Sequence, residues 1–186
     1  MITSIVVLDH AIEQALYAIR NPHIVQAFIW ISELASETTI IGLTAVAIIL
    51  LVRRRKWPAI SGLIISVLGS TAVVLVLKYL VARVRPAGIA AYQESGFSFP
   101  SWHATSVVAF YGFILFLMWE ALTPLQRKIK LAAVGIIILA VGFSRLYLGV
   151  HYPSDVLAGY LLGGLFVWLG IIVARNLEQK PTSSQE

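Results

Sequence analysis

The sequence predicts an all-α protein, a polytopic bundle of transmembrane helices, and three observations carry that reading. Of 186 residues, 59% are hydrophobic and only 12% charged, about half the ~25% charge of a soluble domain. The apolar residues are gathered into uncharged runs long enough to cross a hydrocarbon core, which takes about 20 helical residues. The lysines and arginines stand at the ends of those runs, as they do beside membrane spans. A chain of this length suits one bundle, not two domains. With no cysteine present, disulfides, thiolate nucleophiles and cysteine-held metals are excluded. The net charge of +5 does not point to nucleic acid. Basic residues at membrane edges suit anionic lipid or an anionic substrate.

From the N-terminus, Asp9, Glu13, Tyr17 and Arg20 recur at helical spacing opposite Ile5, Leu8, Ile12, Leu16 and Ile19. That predicts an amphipathic helix ending at Asn21-Pro22 and lying in the membrane interface. The charges within it, with no positive stretch ahead of them, argue against a cleaved signal. A second piece over 24–34 is expected half-buried, so residues 1–36 form an interfacial segment. A sixth span drawn from that segment is the alternative topology. Residues 37–175 form the core, with spans expected at 37–53, 57–81, 101–120, 129–147 and 154–175. Residues 57–77 and 156–174 contain no charge, and His103 is the only group within 102–119 that titrates near neutral pH. Residues 176–186 read as a polar cytoplasmic tail.

Five spans place Arg53, Arg54, Arg55, Lys56, Arg127, Lys128, Lys130, Arg175 and Lys180 on one side, which is then cytoplasmic. Lys78, Arg83, Arg85 and Arg145 fall on the other side. Ionisable groups at membrane depth are costly and read as functional by default, so a site facing away from the cytoplasm is expected.

Three pieces of sequence supply it. In the first, Lys78 and Arg85 are seven residues apart, nearly two helical turns, and so share a helix face. Lysine brings a point charge and arginine a planar fork for phosphate oxygens, with Pro86 starting a loop. The plainer alternative is a snorkelling basic cluster. In the second, Pro100 and Ser101 precede an apolar helix, with Ser101 as N-cap. The free N–H groups of such an end bind anions, and His103 in the first turn could act as a general acid. The alternative is a capping serine beside an interfacial histidine. In the third, Gly149 and Pro153 break the helix between two spans and leave His151 at the turn after Ser144 and Arg145. Asp155, four residues on, can hold one ring nitrogen and free the other to attack. A structural His–Asp bond is the alternative there. A metal held by His103, His151 and Asp155 is disfavoured by the cations expected around them.

Together, Lys78 to Pro86, Pro100 to His103 and Ser144 to Asp155 resemble the three-part signature of the type 2 phosphatidic acid phosphatase superfamily, K-x6-R-P, P-S-G-H and S-R-x5-H-x3-D. The resemblance implies a membrane lipid phosphatase with no cofactor and no metal. It implies that Lys78, Arg85, Ser101 and Arg145 bind phosphate, that His151 is the nucleophile oriented by Asp155, and that His103 protonates the leaving group. Trp102 replaces the usual glycine, whose backbone N–H contacts phosphate; tryptophan keeps that N–H. The resemblance further implies a lipid phosphate or diphosphate substrate, with a polyprenyl (undecaprenyl) diphosphate favoured over phosphatidylglycerol phosphate or phosphatidate. It implies a bacterial inner or plasma membrane, with the site on the extracytoplasmic side. A lipid phosphotransferase and a non-enzymatic anion transporter remain the other classes. The loop over 87–99 is expected to cover the headgroup, with Glu94 as its only charge.

Overall fold

The computed structural model describes residues 2–86 and 90–179, the first two of these by backbone alone. Residues 87–89 of the expected headgroup loop, and Lys180 with most of the expected tail, lie outside the described residues. Every regular element among the described residues is helical: α1 (Ile2–Ala18), α2 (Pro22–Glu33), α3 (Glu37–Arg53), α4 (Trp57–Ile64), α5 (Ser70–Val81), α6 (Trp102–Met118), α7 (Pro124–Tyr147) and α8 (Pro153–Glu178). A π-helical turn, Ile65–Gly69, joins α4 and α5 into one rod.

Local chemistry fixes the starts. The Asn21 side chain accepts from the His23 N–H at 2.9 Å, with Pro22 opening α2. Ser36 Oγ accepts from Thr39 N–H at 3.3 Å. Thr123 and Gln126 form a reciprocal capping box at the head of α7. That cap starts α7 at Pro124, earlier than the expected 129. Hydropathy marks only the apolar part, whereas the helix extends through the basic residues that precede it. Likewise the first helical stretch of spanning length is Pro22–Arg53, not 37–53, because α2 and α3 follow one another through a short turn at 34–36. The others are Trp57–Val81, Trp102–Ala121, Pro124–Tyr147 and Pro153–Glu178, which makes five.

α8 is the hub, packed against α6 and the α4–α5 rod. Its glycines permit that contact. A Cβ on Gly159 would stand 2.7 Å from the Ser101 carbonyl oxygen, and one on Gly163 would stand 2.6 Å from that of Thr105. In a membrane there is little hydrophobic drive between helices, so such small-residue faces let backbones close to van der Waals contact. The main dry core of Ile40, Leu63, Val67, Phe110, Phe113 and Ala174 fills the half of the bundle nearer Arg53, Arg54, Arg55 and Lys56. Buried polar side chains collect in the other half.

α1 is inside out by the standards of a soluble protein. Asp9 and Glu13 are buried, while Ile5, Val7, Leu8 and Ile19 are exposed. A helix surrounded by lipid gains nothing by hiding apolar groups, and it must give its carboxylates protein partners. Glu13 finds His10 on the same helix, and the polar contacts of this segment with other elements are to one end of the bundle. Asp9 meets Arg83 and Ser154, and the Arg20 Nε and Asn21 N–H groups donate to Tyr147. The helix therefore runs across that end.

Candidate active site

The rod Trp57–Val81 is 25 residues long, about 37 Å at 1.5 Å per residue. It carries the chain from the exposed basic turn to the opposite end, and all three sequence pieces meet there.

α5 stops at Val81, and Ala82 is left-handed at φ 48°. Lys78 and Arg85 therefore do not share a helix face as the spacing suggests, because Arg85 lies in the extended segment before Pro86. They converge by another route, since both grip the returning loop. Lys78 Nζ donates to the Phe97 carbonyl at 2.6 Å. Arg85 Nε donates to that of Gly96 at 3.0 Å, and its Nη2 to that of Ser95 at 3.2 Å.

Ser101 caps α6 as expected, its Oγ accepting from Ala104 N–H at 3.4 Å. Its own N–H donates to the Asp155 carbonyl at 3.0 Å, which ties the start of α6 to the start of α8. The N–H groups of Trp102 and His103 precede the helical ladder and are orphan donors at that end. The Trp102 indole lies edge-on to His103, with centroids 5.5 Å apart, and packs on the dry core. His103 Nδ1 is buried without a hydrogen-bond partner.

Arg145, in the last turn of α7, is 1% exposed. Its guanidinium donates to Ser32 Oγ on α2 and pairs with Glu94. Gly149, at φ 71°, then turns the chain. His151 follows, and Pro153 opens α8. The His151 Nε2 atom is 3.2 Å from Arg85 Nη1. Arginine can only donate, so Nε2 is the bare nitrogen and Nδ1 carries the hydrogen. Nδ1 is 3.5 Å from Asp155 Oδ2, within ion-pair range but without hydrogen-bond geometry. Burial, and after it the charges of Arg145, Arg85, Lys78 and His103, push the His151 imidazole well below its ordinary 6.5. The ring is thus neutral at neutral pH, with a lone pair turned toward a ring of cations. Among the described residues no three His, Asp or Glu side chains stand close enough together to hold one metal ion.

Lys78, Arg85, Arg145, His103, His151 and Asp155 are thus brought to one place, with Ser101 and Trp102 at its wall. Four neighbours escaped the sequence reading, and a fifth, Arg83, was expected on this side but given no role of its own. Glu94 bridges the cations, 3.3 Å from Arg85 and in contact with Arg145. Ser32 holds Arg145 from behind. Arg83, Asp9 and Ser154 form a knot around Asp155: Arg83 Nη1 lies 2.7 Å from Asp155 Oδ1, and Arg83 Nη2 lies 2.7 Å from Asp9 Oδ2. Burial opposes the charge on Arg83, but the Asp9 and Asp155 carboxylates outweigh it and hold the guanidinium above its ordinary value. The available signal was the placement of Asp9 in an apolar helix and of Glu94 as a lone charge in its loop.

Beside Arg85 and Glu94 a cavity of about 500 Å³ opens, lined also by Tyr92, Gln93 and Gly149. The family model described as the PAP2 superfamily matches residues 59–179, which contain every one of these motifs. The chain belongs to the PAP2 superfamily.

As a PAP2 protein it is an all-helical membrane lipid phosphatase, a phosphoric-monoester hydrolase. It is 34% identical over 173 residues to phosphatidylglycerophosphatase B of Bacillus subtilis, covering 87% of this chain and 80% of that one. It is 30% identical over 151 residues to an undecaprenyl-diphosphatase of Sulfolobus acidocaldarius, covering 77% and 67%. The crystal structure of a transmembrane PAP2-type phosphatidylglycerolphosphate phosphatase from Bacillus subtilis superposes with a TM-score of 0.84 at 28% identity, covering 96% of this chain and 89% of that one. Several other curated PAP2 relatives are longer, and the chain spans about half their length.

Proposed function

We propose that this PAP2 phosphatase removes the terminal phosphate of a lipid phosphate through a phosphohistidine on His151, without a metal. The observation that carries the proposal is the bare Nε2 of His151 at 3.2 Å from Arg85, inside a cradle of three cations and backed by Asp155. Arg85, Arg145 and Lys78, with the N–H groups that start α6, hold the phosphoryl oxygens and offset the charge that spreads over them during transfer. The Nε2 lone pair forms the P–N bond as the P–O bond to the leaving group breaks. His103, in its protonated form, gives its proton to that oxygen. The neutral His103 then takes a proton from water, whose oxygen attacks phosphorus and releases His151 and inorganic phosphate. Asp155 steadies the Nδ1–H and the positive charge that the imidazole gains on phosphorylation.

The substrate preference moves with the comparisons. Sequence alone favours a polyprenyl diphosphate. The match over most of the chain to phosphatidylglycerophosphatase B supports phosphatidylglycerol phosphate as the leading substrate. The undecaprenyl-diphosphatase match keeps polyprenyl diphosphate as the second. Both place a terminal phosphate on a lipid, and an apolar groove fits the tail. Leu77, Leu161 and Leu165 line it, and it reaches Phe99 and Pro100 beside the site. The basic turn at Arg53, Arg54, Arg55 and Lys56 supports a cytoplasmic position for that end and, with it, a site on the extracytoplasmic face of a bacterial plasma membrane.

The test is phosphate release from a panel of lipid phosphates, with excess chelator, by the wild type and His151→Ala. Turnover that survives chelation and vanishes in the variant supports the reading. Chelator-abolished turnover, or a fully active His151→Ala, overturns it.

A further inference from the structure

The amphipathic helix α1 has a polar face that needs an account. Asp9 is 2% exposed and Glu13 is 6% exposed, so α1 is not a water-facing strip on the membrane surface. Asp9 makes more than one strong contact. Its Oδ1 accepts from Ser154 N–H at 3.0 Å and its Oδ2 accepts from the Ser154 hydroxyl at 2.5 Å. Oδ2 also pairs with Arg83 Nη2 at 2.7 Å. Arg83 Nη1 spans to Ser154 Oγ at 2.6 Å and to Asp155 Oδ1 at 2.7 Å. The same guanidinium stacks on the Tyr152 ring, 4.0 Å from its centroid, and His10 meets the other edge of that ring, with centroids 5.3 Å apart. Residues 152, 154 and 155 surround the turn that presents His151, and each is held by α1, by Arg83 or by both.

This arrangement bears on the Asp155–His151 pair. That contact is long, at 3.5 Å, so it cannot by itself fix the carboxylate plane. The plane is set by the other bonds: Arg83 on Oδ1, the Tyr152 N–H on Oδ2 at 2.9 Å, and the Ser98 side chain. With Oδ1 held by Arg83 Nη1, Oδ2 is left facing Nδ1. Arg83 itself sits on an extended segment just after α5, where nothing regular holds its side chain. Asp9 supplies the second anchor for its fork, a bidentate use that lysine could not copy.

We infer that Arg83 and Asp9 are positioning residues: together they lock the Asp155 carboxylate toward His151, making the N-terminal helix α1 part of the nucleophile's support. This rests on the phosphatase reading above for its kinetic consequence, but not for its geometry. Neither residue touches the cation cradle, so their removal should change the rate of the chemical step and leave phosphate binding alone.

The experiment compares wild type, Asp9→Asn, Arg83→Lys, Arg83→Met, Ser154→Ala and the double variant Asp9→Asn/Arg83→Met in lipid nanodiscs. Each is scored by kcat, KM, the inhibition constant of inorganic phosphate, and the 15N shifts that report the His151 ring tautomer without substrate. Misplacing a reacting group by about 1 Å can cost ~100-fold. Arg83→Met is expected to lose kcat on that order, Arg83→Lys and Asp9→Asn about tenfold, with KM and phosphate inhibition within twofold of wild type. The His151 shifts should move from one Nδ1–H tautomer toward a mixture. Because Asp9 works through Arg83, the double variant should be no worse than Arg83→Met alone. Ser154→Ala keeps the Asp9–Arg83 pair and should retain most of kcat. Wild-type kcat and unchanged tautomer shifts in Arg83→Met would overturn the inference. So would additive losses in the double variant, which would mean that Asp9 acts only as a strut through Ser154. If the wild type turned over no lipid phosphate, the phosphatase reading would fall, while the tautomer shifts would still decide the positioning.

Discussion

Two groups of cations sit at opposite ends of one helical rod, and they share almost nothing but residue type. Arg53, Arg54, Arg55 and Lys56 are exposed, and no ion pair holds them among the described residues. Arg83, Arg85 and Arg145 are shielded, and each is held by several acceptors: carboxylates at Asp9, Asp155 and Glu94, carbonyls at Gly96 and Val150, and the Ser32 and Ser154 hydroxyls. The first group needs only water or lipid phosphate and can occupy many rotamers, which suits an anchor. The second has been desolvated, and desolvation is tolerable only where fixed partners replace water. Fixed partners are also what an electrostatic catalyst requires, since donors aimed in advance need no reorganisation when charge develops. The same amino acid marks topology at one end and a site at the other. Burial with partners makes that difference.

The contrast fails most completely if the imidazole at the centre of the buried group is dispensable. His151→Ala should lower phosphate release by about 10⁵-fold or more, since removing a nucleophile alone usually costs as much as removing its whole assembly. Initial rates in detergent or nanodiscs decide this. The next sharpest test is shape. Arg145→Lys keeps the charge but not the fork between Ser32, Glu94 and the substrate, and should lower kcat about 100-fold. A lysine with full activity would show that charge alone suffices.

Acidity sharpens the contrast further. Burial, and after it the surrounding cations, lower the His151 imidazole below its ordinary 6.5, and attack needs the neutral ring. As pH falls through 6.5, kcat/KM should therefore hold, dropping only at more acid pH. At pH 5.5 an unperturbed imidazole would already have lost about tenfold of its neutral form. A loss of that size at pH 5.5 in the pH profile would mean that neither burial nor the cations perturb the nucleophile.

Glu94 tests the cradle from within. Its carboxylate occupies the place among Arg85 and Arg145 that suits a phosphate oxygen, so an arriving substrate must displace it. Glu94→Gln should lower KM about fivefold with kcat little changed, equivalent to roughly 1 kcal/mol of relieved competition. A raised KM would make Glu94 a substrate contact. At the other end, Arg54→Gln should leave kcat/KM within twofold, because an exposed unpaired charge contributes little. A large loss there would erase the distinction between the two groups.

The sequence was sufficient for the helical class and for the long apolar stretches, and it named most of the residues that the fold gathers at one end. Uncharged runs of spanning length and His, Arg and Asp at fixed offsets are local patterns, and local patterns survive without coordinates. It erred where a helix outran its apolar part, as at Pro124, and where spacing stood in for geometry. Lys78 and Arg85 are seven apart but not on one face, because α5 ends at Val81. It could not say what the polar face of α1 meets, because periodicity shows that two faces differ and not which face meets protein.

What the amino acids determined alone is which groups could do chemistry and which stretches had to be helix in lipid, since both follow from the properties of each residue and its near neighbours. What only the tertiary structure decided is who holds whom: Asp9 on Arg83, Arg83 on Asp155, Glu94 on Arg145, Ser101 on the start of α8. These pairs join residues up to 74 positions apart. No local signal encodes them. They exist because close packing of α6 on the glycine face of α8, and of α1 across the same end, leaves each buried charge a single place to find its counterpart.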